Sequence, residues 1–333
     1  MNRALIAFGP VPSRRLGRSL GINHLPSKVC TYSCVYCQVG RTLRLAAERA
    51  RFFHPDTVVR AVTEKVESAR AAGEEVDFLT FVPDGEPTLD LGLGAMIRGL
   101  RPLGIPIAVV TNASLVDRQE VRDDLGEADW VSLKVDTVDE ELWHRVNRPH
   151  GRLAFPAVLE GMRTFAGDFR GRLVTETMLL EGINDGEPGL RTTAEFVGGL
   201  NPDPAYLAVP TRPPAEPWVT AAGAASLARA YEVFRAFAGP VELLVGYEGD
   251  AFASTGDPAQ DLLSIMAVHP MREAAVNGFL QRAGASRAVV DGLVRRGELA
   301  RVPYGGQWYF VRPGERPPGP GTFRTGANAR SSA

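Results

Sequence analysis

Cysteine is scarce in this sequence: there are three in 333 residues, all between positions 30 and 37. An odd local cluster cannot form a disulfide framework, because one thiol is always left over, and crowded thiols in a reducing compartment point to metal instead. Long apolar runs are also missing. No stretch reaches the length needed to span a bilayer, and the N-terminus MNRALIAFGPVPSRR has neither the apolar core nor the small-residue cleavage site of a secretory leader. The expectation is a cytoplasmic protein with no membrane contact. Net charge is close to zero, at −2, which removes any global pull toward nucleic acid or an anionic surface. Charge is nevertheless segregated. Arg3, Arg14, Arg15, Arg18, Lys28, Arg41, Arg44, Arg49 and Arg51 lie in the first 51 residues, where Glu48 is the only acid. An anionic ligand is therefore expected near this end.

Apolar residues make up 44% of the chain, enough for one large domain and a small one. Short apolar runs alternate with helical patterns, as in a parallel α/β sheet. Strands are expected at 19–24, 76–82, 107–112, 130–136, 173–180, 206–210 and 241–245, with helices at 56–72, 90–101, 117–125, 138–146, 155–166, 187–199 and 221–238. This alternation predicts an open or partial (β/α) barrel over residues 1–250, whose ligands gather at the carboxyl ends of the strands. After a linker at 251–260, the pattern over 261–312 becomes three short helices and a hairpin turning at Tyr304-Gly305-Gly306, the order of a winged helix. Residues 313–333 are rich in Pro, Gly, Arg and Ser and are expected to be disordered.

The three cysteines form the run Cys30-Thr31-Tyr32-Ser33-Cys34-Val35-Tyr36-Cys37, with spacing C-x3-C-x2-C. One loop of this length puts three thiolates on three irons of a [4Fe-4S] cluster and leaves the fourth iron open. A structural zinc site is the other reading; it needs four closed ligands, with His24 or His54 completing the set. The motif resembles that of the radical SAM superfamily. The resemblance implies that the open iron chelates the amino and carboxylate groups of S-adenosyl-L-methionine, that an electron breaks its sulfur-carbon bond, and that the resulting 5′-deoxyadenosyl radical abstracts hydrogen. It also implies that Tyr36 packs beside the adenine.

Further motifs agree with this resemblance. The strand expected at 76–82 ends in Pro83-Asp84-Gly85-Glu86-Pro87-Thr88-Leu89, similar to the superfamily's GGEP segment with Asp84 in place of the first glycine. Gly85, Glu86 and Pro87 are thereby implied to lie at the methionine amino group, whereas alone such a run is a turn. Ser132, Lys134 and Asp136 alternate with Val131, Leu133 and Val135. Period-two geometry puts the polar residues on one face, which is a surface for an isolated strand and the lumen for a barrel wrapped by helices. A lysine and an aspartate buried there need ligands or each other, and the resemblance implies the ribose and the methionine carboxylate. Asn112 and Glu176 are candidates on the same reasoning, set against ordinary strand-end hydrogen bonding. Asn147-Arg148-Pro149-His150-Gly151 and Gly182-Ile183-Asn184-Asp185 follow the expected fourth and fifth strands, with Arg148 and His150 read as loop caps or substrate contacts.

The run FGPVPSRRLGRSLGI at 8–22 is similar to the opening signature of one radical SAM family, grouped with the tRNA wyosine-synthesis enzymes. The likeness extends over residues 8–312, including Gly246-Tyr247-Glu248-Gly249 and His269-Pro270-Met271-Arg272. It implies an oxidoreductase of unidentified substrate, an electron donor such as flavodoxin or ferredoxin, and RNA or a nucleotide as a candidate partner. A second thiolate-bound cluster, as in the archaeal wyosine enzymes, is excluded because no cysteine is left for it. Arg14 and Arg15 are candidates for an anion at the barrel mouth or for carboxylate pairing. Arg287, Arg295 and Arg296 are candidates for phosphate contact by the winged helix, opposed by Asp291 and Glu298. The rival of another class is an iron-sulfur redox sensor acting on transcription, which has no use for the polar face at 132–136.

Overall fold

A computed structural model describes residues 6–246 and 249–313. In chain order the larger part comprises β1 (Ala7–Ser13), β2 (Gly17–Ile22), β3 (Val29–Cys30), β4 (Arg44–Leu45), α1 (Pro55–Ala71), β5 (Phe78–Phe81), α2 (Leu93–Leu100), β6 (Ile107–Thr111), α3 (Gln119–Gly126), β7 (Trp130–Lys134), α4 (Glu140–Asn147), α5 (Phe155–Asp168), β8 (Arg172–Met178), α6 (Glu187–Gly199), β9 (Ala205–Ala208), α7 (Ala224–Phe237) and β10 (Val241–Leu244). One sheet runs β1-β2-β5-β6-β7-β8-β9-β10, with β1 antiparallel to β2 and the later neighbours parallel. It is an α/β fold, curled into an open half barrel. The curl is evident from the turn between β1 and β2. Arg15 pairs with Glu176 on β8, and Arg14 donates to the Val245 carbonyl just past β10 at 2.6 Å. In a flat sheet β2 and β10 would stand about 29 Å apart at ordinary strand spacing.

Local chemistry explains the elements. Pro55 opens α1, Asp56 sits in its first turn, and Val58, Val62, Val66 and Ala69 form its buried stripe. Along the strands, alternate residues face opposite layers. Leu20, Leu79, Phe81, Val109, Val131, Leu133 and Leu207 enter the core shared with the helices, while Ala108, Trp130, Val174, Met178 and Tyr206 line the other side. Strand β1 departs from the sequence expectation, which begins the sheet at Ser19. Gly9, Pro10 and Pro12 argue against a central strand, but β1 is an edge, where proline breaks no essential ladder bond. Gly21 on β2 is required, because a β-carbon there would stand 1.9 Å from the Phe8 ring.

The remaining described residues form α8 (Pro258–Val268), β11 (Met271–Arg272), α9 (Glu273–Arg282), α10 (Ala288–Arg295), β12 (Ala300–Tyr304) and β13 (Gln307–Val311), with sheet order β11-β13-β12. Helix α8 begins inside the expected linker, capped by the Asp257 carboxylate on the Ala259 and Gln260 amides. The two-residue β11 stands between the first two of the expected short helices and pairs with Tyr309 and Phe310 of β13. Leu262, Ile265, Phe279, Leu293 and Phe310 share an apolar core with Phe8 and Val11 of β1. Lys65 of α1 reaches Asp261 at 2.7 Å. Two of the arginines considered for phosphate contact are paired within this unit, Arg287 with Glu273 at 2.7 Å and Arg296 with Glu298 at 3.1 Å. Tyr247, Glu248 and the expected disordered tail from residue 314 lie outside the described residues. Among the described residues, no helix is long and apolar enough to cross a membrane.

Candidate active site

The cysteine loop is closed at its base by the parallel pair β3 and β4, and the Lys28 carbonyl accepts from the amides of Leu43 and Arg44, both at 3.0 Å. On one side it completes α4: the Val35 and Ser33 amides donate to the Val146 and Asn147 carbonyls at 2.9 and 3.0 Å, satisfying oxygens that a helix end leaves unpaired. The segment after α4 continues the contact, with the His150 amide on the Thr31 carbonyl at 2.9 Å. His150 Nδ1 accepts from the Arg152 amide at 3.2 Å, a loop-capping role. On the other side, the Glu216 amide donates to the Val35 carbonyl at 3.0 Å, and Gln38 Oε1 accepts from the Arg212 amide at 2.8 Å.

The turn after β5 presses directly on this loop. A β-carbon on Gly85 would stand 1.9 Å from the Val29 carbonyl oxygen, so only glycine allows the approach, and the Glu86 amide donates to the same oxygen at 3.2 Å. Asp84 is buried and pairs with Lys28 Nζ at 3.0 Å while accepting from Ser27 Oγ at 2.9 Å. The Glu86 carboxylate is saturated from within: it accepts from the Thr88 amide at 3.0 Å, Thr88 Oγ1 at 2.7 Å, Thr111 Oγ1 at 2.6 Å and the Asn112 amide at 2.8 Å. Burial pushes its carboxyl above the ordinary range, and these donors oppose the shift. Pro87 contributes its carbonyl, which His24 Nε2 contacts at 3.3 Å.

All three cysteines are part-exposed. Asn112 Nδ2 lies 3.6 Å from Cys30 Sγ, and Asn147 Nδ2 lies 3.4 Å from Cys34 Sγ, so two amide donors face the sulfurs. Burial, reinforced by the Asp136 charge, pushes the Cys34 thiol up to about 12. Burial and then Glu86 raise Cys30; burial also raises Cys37, against the pull of Lys28. Bound metal reverses this balance, because a coordinating thiol is deprotonated outright. Neither histidine proposed for zinc is placed to help. His54 is exposed and pairs with Asp56 at 3.4 Å, and His24 is buried against Phe81 with its pKa lowered to about 4 by burial. Among the described residues, no three His, Cys, Asp or Glu side chains converge to hold one metal ion. Three sulfur donors with amide N–H groups aimed at two of them suit a multi-iron cluster, which spans wider gaps than one ion and whose sulfurs accept such hydrogen bonds.

Behind the loop the expected polar face is inside the half barrel. Ser132 is buried, Lys134 Nζ donates to Glu176 Oε1, and Arg15 donates to Glu176 Oε2. Burial alone would raise the Glu176 carboxyl, but Lys134 and Arg15 prevail and hold it at about 2. Asp136 lies beside the cysteines: the Tyr36 hydroxyl donates to its Oδ2, Asn147 Nδ2 donates to the same oxygen at 2.8 Å, and the Met178 amide donates to Oδ1 at 2.9 Å. Lys134 Nζ stands 5.0 Å over the Tyr36 ring. Asn184 ties the backbone together, donating to the Asp136 and Met178 carbonyls at 3.0 and 2.8 Å.

Cys30, Cys34, Cys37, Tyr36, Asn112, Lys134, Asp136 and Glu176 are thus gathered around the lumen, with Gly85, Glu86 and Pro87 forming its wall beside Cys30. Sequence reasoning marked the segments that hold Asn147 and Asn184 without giving either asparagine a role, and it missed the Lys28-Asp84 pair. For the two asparagines the available signal was position, Asn147 as the last residue of α4 and Asn184 in the loop after β8.

Comparison with known proteins gives a consistent result. The sequence profile of the radical SAM superfamily matches residues 25–191, half of the chain. A UPF0026 protein of Methanocaldococcus jannaschii is 42% identical over 309 residues, spanning 92% of this chain and 96% of that protein. Among solved structures, a radical SAM methyltransferase from Sphaerobacter thermophilus superposes with a TM-score of 0.52 at 18% identity, covering 68% of this chain and 66% of that one. TYW1 with a lysine-pyruvate adduct bound gives 0.51 at 18% identity, covering 66% of this chain and 73% of that one. At these identities the structural likeness establishes the fold alone.

Proposed function

This chain belongs to the radical SAM superfamily and to the UPF0026 family, and from that premise we propose that it is an oxidoreductase that holds a single [4Fe-4S] cluster on Cys30, Cys34 and Cys37. When bound, the cluster and S-adenosyl-L-methionine supply an electron and a carbon-centred radical able to remove hydrogen from a substrate. The observation that carries this reading is the position of the cysteine loop beside a lumen in which buried Asp136 and the part-buried charges of Lys134, Glu176 and Arg15 lie together.

In this reading Asn112 and Asn147 steady the thiolates through N–H to sulfur contacts. Lys134 and Asp136 orient the ribose and the methionine carboxylate, with Tyr36 beside the adenine. Glu86 fastens the ends of β5 and β6, leaving backbone groups of the Gly85 turn to meet the amino group. Helices on one face and the cysteine loop on the other keep water from the reacting centre. A flavodoxin or ferredoxin supplies the electron in the cytoplasm, and the unit formed by α8 to β13 is a winged helix. A redox sensor would leave the charged lumen without a purpose.

Anaerobic reconstitution with iron and sulfide, followed by dithionite and S-adenosyl-L-methionine, tests this function. Accumulation of 5′-deoxyadenosine is expected; none from a fully loaded sample would refute it.

A further inference from the structure

Beside the cysteine loop, four segments line an open pocket of about 300 Å³. Its floor is apolar, made by Val35, Val146 and Ile183, and its rim carries His144, Arg145, Arg148 and Trp218, with no carboxylate in the lining. Trp218 is 55% exposed, an unusual position for an indole. The segment that bears it is nonetheless pinned at both ends. The Glu216 amide is on the Val35 carbonyl, and the Thr220 carbonyl accepts from the Glu181 amide at 3.0 Å. The indole is therefore held in place with a face open to solvent.

The charge at the rim is also fixed. Glu216 is buried beneath it and accepts from both Arg148, at 2.5 Å, and Arg41, at 2.9 Å. One carboxylate between two guanidiniums leaves one positive charge unmatched. Arg145 adds a second, having no ion-pair partner among the described residues. Arg148 sits at a φ of 46°, a left-handed conformation that turns the chain where α4 ends. A flat ring stacks on an exposed indole, and a phosphate is the anion that guanidiniums grip best.

We propose that this pocket binds a nucleotide, with its base against Trp218 and its phosphate on Arg145 and Arg148, either free or as one unit of an RNA strand. The proposal goes beyond the cluster chemistry and does not depend on it. Its occupant would lie against Val35, between two of the cysteines.

The test uses the cluster-loaded protein with saturating S-adenosyl-L-methionine and measures binding of GMP, AMP, guanosine, inorganic phosphate and a short single-stranded RNA. Nucleotide or RNA should bind, guanosine and phosphate should each bind about tenfold more weakly or worse, and Trp218→Ala and Arg145→Ala should each cost about tenfold while Trp218→Phe retains affinity. RNA binding without mononucleotide binding, with the same losses, assigns the strand as the source. Formation of 5′-deoxyadenosine without added substrate should be unchanged in Trp218→Ala, which separates a failure of this site from a failure of the cluster. Equal affinity for GMP and guanosine, equal affinity for inorganic phosphate, binding unaffected by both alanine variants, or no binding of any nucleotide form overturns the proposal.

Discussion

Leu133 and Lys134 are consecutive on β7 and face opposite ways. Leu133 is fully buried among Val131, Val109 and the helices, a layer close to pure hydrocarbon. Lys134 enters the lumen and meets Glu176 and the ring of Tyr36. The outer face holds the fold by excluding water from apolar surface, while the inner face holds part-buried charges by pairing them. The lesson lies in what each face can lose. An outer residue removed leaves a cavity; an inner residue removed leaves a partner without its counter-charge.

The largest expected effect is at the inner rim. Replacing Cys34 by alanine should abolish retention of iron after reconstitution while the unloaded protein keeps its Tm, as read by iron assay and thermal melting; full iron retention would break the contrast. Next, Leu133→Ala should cost roughly 2–5 kcal/mol of stability in denaturant titration, with S-adenosyl-L-methionine affinity unchanged in the folded fraction. A smaller effect concerns Lys28, whose Nζ lies 3.7 Å from where a β-carbon on Gly40 would stand, with the Gly40 amide on the Cys37 carbonyl at 3.2 Å. A cation there favours the reduced cluster. Lys28→Met should lower the reduction potential, Lys28→Arg should preserve it, and Asp84→Asn should raise it. Shifts of the same sign in Lys28→Met and Asp84→Asn would show that the pair acts only by packing.

The smallest effect belongs to Asp90, a buried carboxylate just before α2 that accepts from the Gly92 amide at 2.7 Å. Burial raises its pKa from 3.8 to about 6, partly offset by the Gly92 amide. The folded value exceeds the unfolded one, so the stability this group contributes is present below the unfolded pKa and is lost as the pH rises through about 6. Asp90→Asn should raise Tm by a few degrees above that pH and leave it unchanged near pH 4.

How much of this was legible in the sequence differs between the faces. Alternation over 130–136 gave both layers, because period two is a local property. The cysteine spacing set three thiols on one loop for the same reason. Strand β1 stayed hidden because Pro10 and Pro12 are acceptable only at an edge, and edge position is a fact of topology. Glu86 was read toward the cosubstrate, while Thr111 and Asn112, brought alongside by the β5-β6 pairing, take up its oxygens. Lys28 and Asp84 meet only because β3 lies beside the turn at Gly85. Asn147 and Asn184 gave little local signal, since asparagine at a loop start has many uses.

An open iron on a three-cysteine cluster is tested most directly by electron paramagnetic resonance of the reconstituted, reduced protein with and without S-adenosyl-L-methionine, alongside iron and sulfide analysis. The prediction is four irons per chain and a spectrum that changes when the cosubstrate is added. Bound zinc in place of iron, or a cluster spectrum indifferent to S-adenosyl-L-methionine, would contradict it.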